Sequence, residues 1–171
     1  AVMMQKIENG YPATEFTGYE TLTDEAETLA LLNEKFELTD ELSGGGFAVF
    51  NRTPFYAESG GQVGDKGLIL LAGQETARVE DVQKPLGKVY LHKISGTLKK
   101  GDKVTLTVDA GLRKRLMANH SAIHLVNAAL RRVFGPSVHQ SGSYVSADRF
   151  RFDYTLSKTP LAEELNKAWQ I

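Results

Sequence analysis

The 171 residues contain no cysteine. That excludes disulfides and a thiol nucleophile, and it restricts any zinc site to His, Asp and Glu donors or to ligands from outside the chain. No apolar run approaches the ~20 residues of a membrane helix. The opening AVMMQKIENGYP lacks the basic start and apolar stretch of a signal peptide, so the expected location is cytoplasmic, with no membrane partner. Charge excess is missing too: 20 Lys and Arg against 21 Asp and Glu give a net charge of −1. The chain as a whole is therefore not a basic nucleic-acid binder, and any such contact would rest on a local patch. What is present, 42% hydrophobic and 24% charged residues, is the composition of an ordinary globular protein of one large domain or two small ones.

Residues 1–13 show no period and read as a tail or linker. Phe16, Tyr19 and Leu22 suit a short strand. Asp24, with Glu27 three residues on, has the form of a helix N-cap, and an extended segment through Leu29–Leu32 is the alternative. Gly44, Gly45 and Gly46 suggest a flexible turn before FAVFNRTPFY, an aromatic and β-branched run that reads as a strand up to Pro54. LILLAG, ETARVEDVQ, KVYLHKI and DKVTLTVD are further strand candidates with glycine or proline between them. Their spacing predicts a small β-barrel or sandwich over residues 14–109. At Asp109 the pattern changes. A helix from about Ala110 stops at Gly135–Pro136, two strands (Val138–Val145 and Arg149–Tyr154) follow, and a last helix opens after Thr159–Pro160. That helix runs off the end of the chain, which suggests a piece of something longer, with residues 110–171 the first part of its second domain.

The long helix carries His120 and His124, four residues apart, so both imidazoles leave one side and can converge on a metal ion. With Leu116 as origin, Leu112, Ile123, Leu130 and Phe134 fall within ~40° of it, and the histidines lie ~40° and ~80° away on the other side. They therefore border the apolar face. Two ligands do not complete a zinc site, and a rim pair can equally be hydrogen-bonded surface groups. Arg113, Lys114 and Arg115 before the pair, and Arg131 and Arg132 after it, are either a solvated face or a phosphate-tracking edge.

The loop AESGGQVGDKG (Ala57–Gly67) holds four glycines at spacings that fit neither a Walker A loop nor a dinucleotide fingerprint. It reads as a tight loop where backbone approaches another strand, a helix or a ligand. Gln62 adds an amide that both donates and accepts.

Three blocks carry a family resemblance: TEFTGYETL (Thr14–Leu22); NRTPFYAESGGQVGDKG (Asn51–Gly67); and NHSAIHL (Asn119–Leu125), continued by ALRRVFGPSVHQSGSYVSADRFRFDY (Ala129–Tyr154). Together they resemble the editing domain of alanyl-tRNA synthetase, and are similar to free-standing proteins that clear mischarged alanine tRNA. The resemblance implies an α+β fold, a glycine-rich β-barrel followed by an editing domain of the type shared with threonyl-tRNA synthetase. It implies hydrolysis of serine or glycine wrongly esterified to the acceptor end of tRNA(Ala). Such a reaction is needed because a pocket sized for alanine cannot strongly reject glycine or an isostere with one added hydroxyl. It also implies zinc, with His120 and His124 as two ligands and a Cys and a His beyond residue 171 as the others. Thr53 would meet the serine hydroxyl, Gln62 would act in catalysis, and Gly60, Gly61, Gln140, Ser141 and Gly142 would line the pocket. Arg113, Lys114, Arg131 and Arg132 would hold the tRNA. ATP binding would belong to the synthetase as a whole, whose remaining chain is a further implied partner.

This sequence departs from the family pattern in three ways. It has no cysteine, Ile123 replaces a threonine, and Thr155-Leu156-Ser157 stands where Ser-His is common. The chain by itself is thus expected to be inactive. The alternative function is a tRNA-binding or scaffold module without hydrolysis.

Overall fold

The computed structural model describes residues 2–171. In chain order the elements are α1 (Val2–Gly10), β1 (Glu15–Phe16), β2 (Thr23–Leu32), β3 (Leu38–Thr39), β4 (Glu41–Phe50), β5 (Arg52–Thr53), β6 (Gly67–Leu71), β7 (Gln74–Gln83), β8 (Leu91–Lys99) and β9 (Lys103–Val108). They continue with α2 (Ala110–Phe134), a 3-10 turn (Gly135–Ser137), β10 (His139–Val145), β11 (Phe150–Thr155) and α3 (Ala162–Trp169). The chain divides into two compact units: the stretch up to Glu58 with Gly64–Leu112, and Ser59–Val63 with Arg113–Ile171.

The first unit is a closed barrel. Its strands run β2-β4-β8-β7-β6-β9, and a further pairing of β9 with β2 closes the ring, with β3 appended beside β2. Closure removes the exposed sheet edges that an open sandwich would leave. β2 serves two neighbours: Thr23–Glu27 pair with β9, and Thr28–Leu32 pair with β4 across an irregularity between Thr28 and Ala30. This ladder overrides the N-cap signal at Asp24, so the predicted short helix is instead a strand. The interior holds Leu31, Phe50, Phe55, Ile69, Ile94, Leu98 and Leu106, all buried.

Two further stretches differ from their sequence reading. Gly44–Gly46 form no turn; they lie within β4, opposite Gly96, Ser95 and Ile94 of β8. A Cβ at Gly46 would stand 2.4 Å from the Leu32 carbonyl oxygen, so the close approach of β4 to β2 requires glycine there. Residues 2–10 are helical. Ile7 lies four residues after Met3 and three after Met4, so the three share one face, and they pack on Ala30, Leu32, Val49, Val89 and Leu91. Glu8 fixes the helix end, its carboxylate accepting the backbone N–H groups of Lys88 at 2.8 Å and Val89 at 3.1 Å.

α2 begins because the Asp109 carboxylate accepts the N–H of Leu112 at 2.9 Å, satisfying one of the unpaired donors of the first turn. It ends where Gly135 takes a left-handed φ of 79° and Pro136 blocks continuation. Leu116, Ile123 and Leu130 are its buried residues, on the stripe the sequence marks. In the second unit β10 and β11 form an antiparallel pair. Leu130, Val138 and Ala168 make a small core there, bordered by Val126, Phe134, Phe152 and Tyr154. No helix among the described residues is long and apolar enough to cross a membrane.

Candidate active site

The glycine loop is pinched at its stem and fastened at its tip. At the stem, within the barrel unit, buried Asp65 accepts the Tyr56 N–H at 2.7 Å and donates its own N–H to the Tyr56 carbonyl at 3.0 Å. At the tip, within the second unit, Ser59 and Gln62 exchange backbone hydrogen bonds of 3.1 and 3.0 Å. The tip then lies along the end of β10: Val145 donates to the Gly61 carbonyl at 2.8 Å, and Val63 donates to the Val145 carbonyl at 3.1 Å. Gly61 has a φ of 83°, and a Cβ there would sit 2.3 Å from the Ser143 carbonyl oxygen, so no other residue fits without displacing backbone. The Ser143 hydroxyl donates to the Gly60 carbonyl at 3.4 Å.

This seating directs Gln62 inward. The residue is 8% exposed, and its side-chain oxygen lies 2.9 Å from Nδ1 of His120. A carbonyl oxygen only accepts, so Nδ1 carries the proton and the lone pair of the neutral ring is on Nε2. The His124 ring centroid is 5.1 Å from that of His120. The preceding residue, Asn119, anchors the helix to the β10–β11 turn by donating to the carbonyls of Ser146 at 2.7 Å and Ala147 at 3.2 Å. The sequence reading missed Asn119. Its signal was a poor helix former in mid-helix, a position that often marks a side chain with an outside partner.

Gln140, Ser141 and Gly142 lie on β10, where the register slips between Gln140 and Gly142, leaving Ser141 without a partner on β11. Gln140 and Ser141 are exposed. Lys114, Arg131 and Arg132 are exposed and Arg113 is half-buried. Arg113 and Arg131 are eighteen residues apart on one helix, about 27 Å along its axis. They therefore cannot form one compact patch.

Thr53 belongs to the barrel unit and is wholly buried. Its Oγ1 lies 2.8 Å from Nε2 of His92 and accepts the Phe55 N–H at 3.1 Å. Nδ1 of His92 is 3.2 Å from the Ala48 carbonyl and must donate to it, so Nε2 accepts the Thr53 hydroxyl proton. Burial among Phe50, Phe55 and the strands pulls the His92 pKa down to about 4, against backbone hydrogen bonds that raise it.

His120 and His124 fit a metal as two donors: they stand one turn apart, with the protonated nitrogen of His120 held by a carbonyl and the other nitrogen left as donor. Among the described residues no group of three or more His, Cys, Asp or Glu side chains gathers around them. A tetrahedral zinc would therefore need its remaining ligands from outside this set.

Residues 1–112 match the family model for class II (A) tRNA synthetases. The chain is 47% identical over 99% of its length to the alanine–tRNA ligase of Elusimicrobium minutum. It is 48% identical over 90% of its length to that of Sphingopyxis alaskensis, and 44% over 89% to that of Hyphomonas neptunium. It spans 20%, 18% and 18% of those three relatives' own lengths. The chain belongs to the class II (A) family of tRNA synthetases, within its alanyl-tRNA synthetase group.

Proposed function

We propose that this chain is a part of the editing region of an alanine–tRNA ligase and that it contributes to hydrolysis of serine or glycine esterified to tRNA(Ala). The observation that carries this reading is the hydrogen bond from His120 to Gln62. With it, the glycine loop, the two-histidine helix and β10 meet within one unit, and all three come from blocks that resemble the editing family. In the reaction, water adds to the ester carbonyl carbon, the ribose oxygen leaves and takes up a proton, and free amino acid departs from a tRNA with its hydroxyl restored. Gly60 and Gly61 backbone N–H groups are the proposed donors to the oxyanion that forms on the carbonyl. Gln140, Ser141 and Gly142 are the proposed wall of the amino-acid pocket. Thr53 is omitted from that wall, because its hydroxyl is engaged inside the barrel. Zinc would be held by His120 and His124 with ligands from the rest of the protein, and when bound it supplies a Lewis acid. Lys114, Arg131 and Arg132, with Arg113, are proposed contacts to tRNA phosphates. Aminoacylation with ATP would belong to the longer protein, acting in the cytoplasm.

A second reading is favoured by the histidine pair's lack of further donors among the described residues: taken alone, the chain binds tRNA without hydrolysing its ester. Serine-charged tRNA(Ala) distinguishes the two. Under the first reading the longer protein deacylates it, His120→Ala abolishes that reaction, and the isolated chain is slow. A longer protein whose deacylation is untouched by His120→Ala refutes the editing assignment.

A further inference from the structure

We infer that Gln62 is a positioning residue for His120: it holds the ring in the Nδ1–H form, so that Nε2 is the donor atom the helix presents. Three observations support this. The backbone of Gln62 is fixed at the tip by its reciprocal bonds with Ser59, and both neighbouring residues are bonded to Val145. The seating admits only glycine at position 61, so the tip cannot slide along β10 without breaking those bonds. The side chain is almost wholly buried and its oxygen reaches Nδ1 at 2.9 Å. Neutral imidazole has one protonated nitrogen, and the partner of one nitrogen determines which atom is available at the other. An amide oxygen at Nδ1 therefore selects Nε2 as the lone-pair atom and fixes the ring's rotation about χ2. The group that would use this atom is a divalent cation of the zinc class, a part of the inference that rests on the proposed role of the histidine pair.

The test reads the tautomer directly. Long-range proton–nitrogen NMR spectra of the 15N-labelled chain, taken well above the ordinary histidine pKa, distinguish Nδ1–H from Nε2–H rings. Wild type is expected to show His120 as Nδ1–H. Gln62→Glu, which keeps an acceptor at the same reach, is expected to preserve that form. Gln62→Met, of similar length with no acceptor, is expected to shift His120 to Nε2–H in a spectrum that is otherwise folded. Zinc affinity of the longer protein, measured by competition with a chromophoric chelator, is expected to fall about ten- to a hundredfold in Gln62→Met and to be restored in Gln62→Glu. An Nε2–H ring in the wild type, or a tautomer unchanged in Gln62→Met, overturns the inference. The expected tautomer in the chain, together with a longer protein that takes up no zinc, supports the positioning role and counts instead against His120 and His124 as metal donors.

Discussion

Replacing Thr53 by valine removes one hydroxyl at nearly constant shape, and the barrel predicts the consequence. Oγ1 serves two partners, donating to Nε2 of His92 at 2.8 Å and accepting the Phe55 N–H at 3.1 Å, in a place with no solvent access. Valine leaves both without a partner. The ring cannot recover by switching tautomer, because Nδ1 must keep its proton for the Ala48 carbonyl. At about 1–3 kcal/mol for each unsatisfied buried group, the loss is about 2–6 kcal/mol, a large share of an ordinary domain's stability. Thr53→Ser keeps the hydroxyl and is expected to recover most of it. Urea unfolding at pH 7 measures both. A Thr53→Val protein as stable as wild type, with only serine deacylation altered, would refute this reasoning and return Thr53 to the substrate.

The same site predicts a pH dependence. His92 is buried neutral, with its pKa lowered from 6.5 to about 4, so between those values the unfolded chain binds the proton and the folded one does not. Stability therefore falls as pH drops through that window, and the contribution is fully present above 6.5. At about 1.4 kcal/mol for each pH unit, the loss reaches about 3 kcal/mol near pH 4. Carboxylates titrate in the same range, so the test is a difference: His92→Gln should have a shallower slope of unfolding free energy against pH than wild type. Equal slopes would show that His92 is not the linked group.

Gly61→Ala should loosen the tip from β10, since its Cβ would meet the Ser143 carbonyl at 2.3 Å and its φ of 83° is unfavourable for alanine. A cost of about 1–3 kcal/mol and faster amide exchange at Val63 and Val145 are expected. Asn119→Ala removes both bonds to the β10–β11 turn; stability should fall by about 1–2 kcal/mol, read by thermal unfolding, with faster exchange confined to that turn and the middle of α2. Neutralising Lys114, Arg131 and Arg132 to glutamine should weaken tRNA binding without sequence preference. Each phosphate that is no longer neutralised should reduce the slope of log affinity against log salt by about 1 in a filter-binding series, and an unchanged slope would leave these side chains as solvated surface.

The sequence made most of the fold legible where its period was strict. β7 and β9 largely follow alternation and α2 follows helical spacing, and the stripe of Leu116, Ile123 and Leu130 is the buried one. It was misleading where a local signal competed with a partner far along the chain. Asp24 looks like a cap, yet strand pairing to residues about eighty positions away prevails. Gly44–Gly46 look like a turn until β2 and β8 are known to pass on either side. In the site, the spacing of His120 and His124 was visible but their partner was not. Gln62 lies 58 residues before His120, and only the seating of the loop on β10 brings the two within hydrogen-bond distance.

Among the described residues His92 and His120 both have side-chain hydrogen-bond partners, and geometry alone does not say which one belongs to chemistry. His92 and Thr53, at 2.8 Å, meet the distance expected of a base and its hydroxyl nucleophile. They fail on the other requirements. Neither has access to solvent, the hydroxyl also serves the Phe55 N–H, and a ring whose pKa is about 4 is too weak a base for activating a hydroxyl near neutral pH. His120 differs at each point. It is only half-buried, its bonded partner is a carbonyl that leaves the opposite nitrogen available, and a second imidazole stands one turn away. Burial with every polar atom paired makes His92 part of what holds the barrel together. Partial exposure, with one nitrogen held and the other left as donor, makes His120 the residue through which the second unit would act.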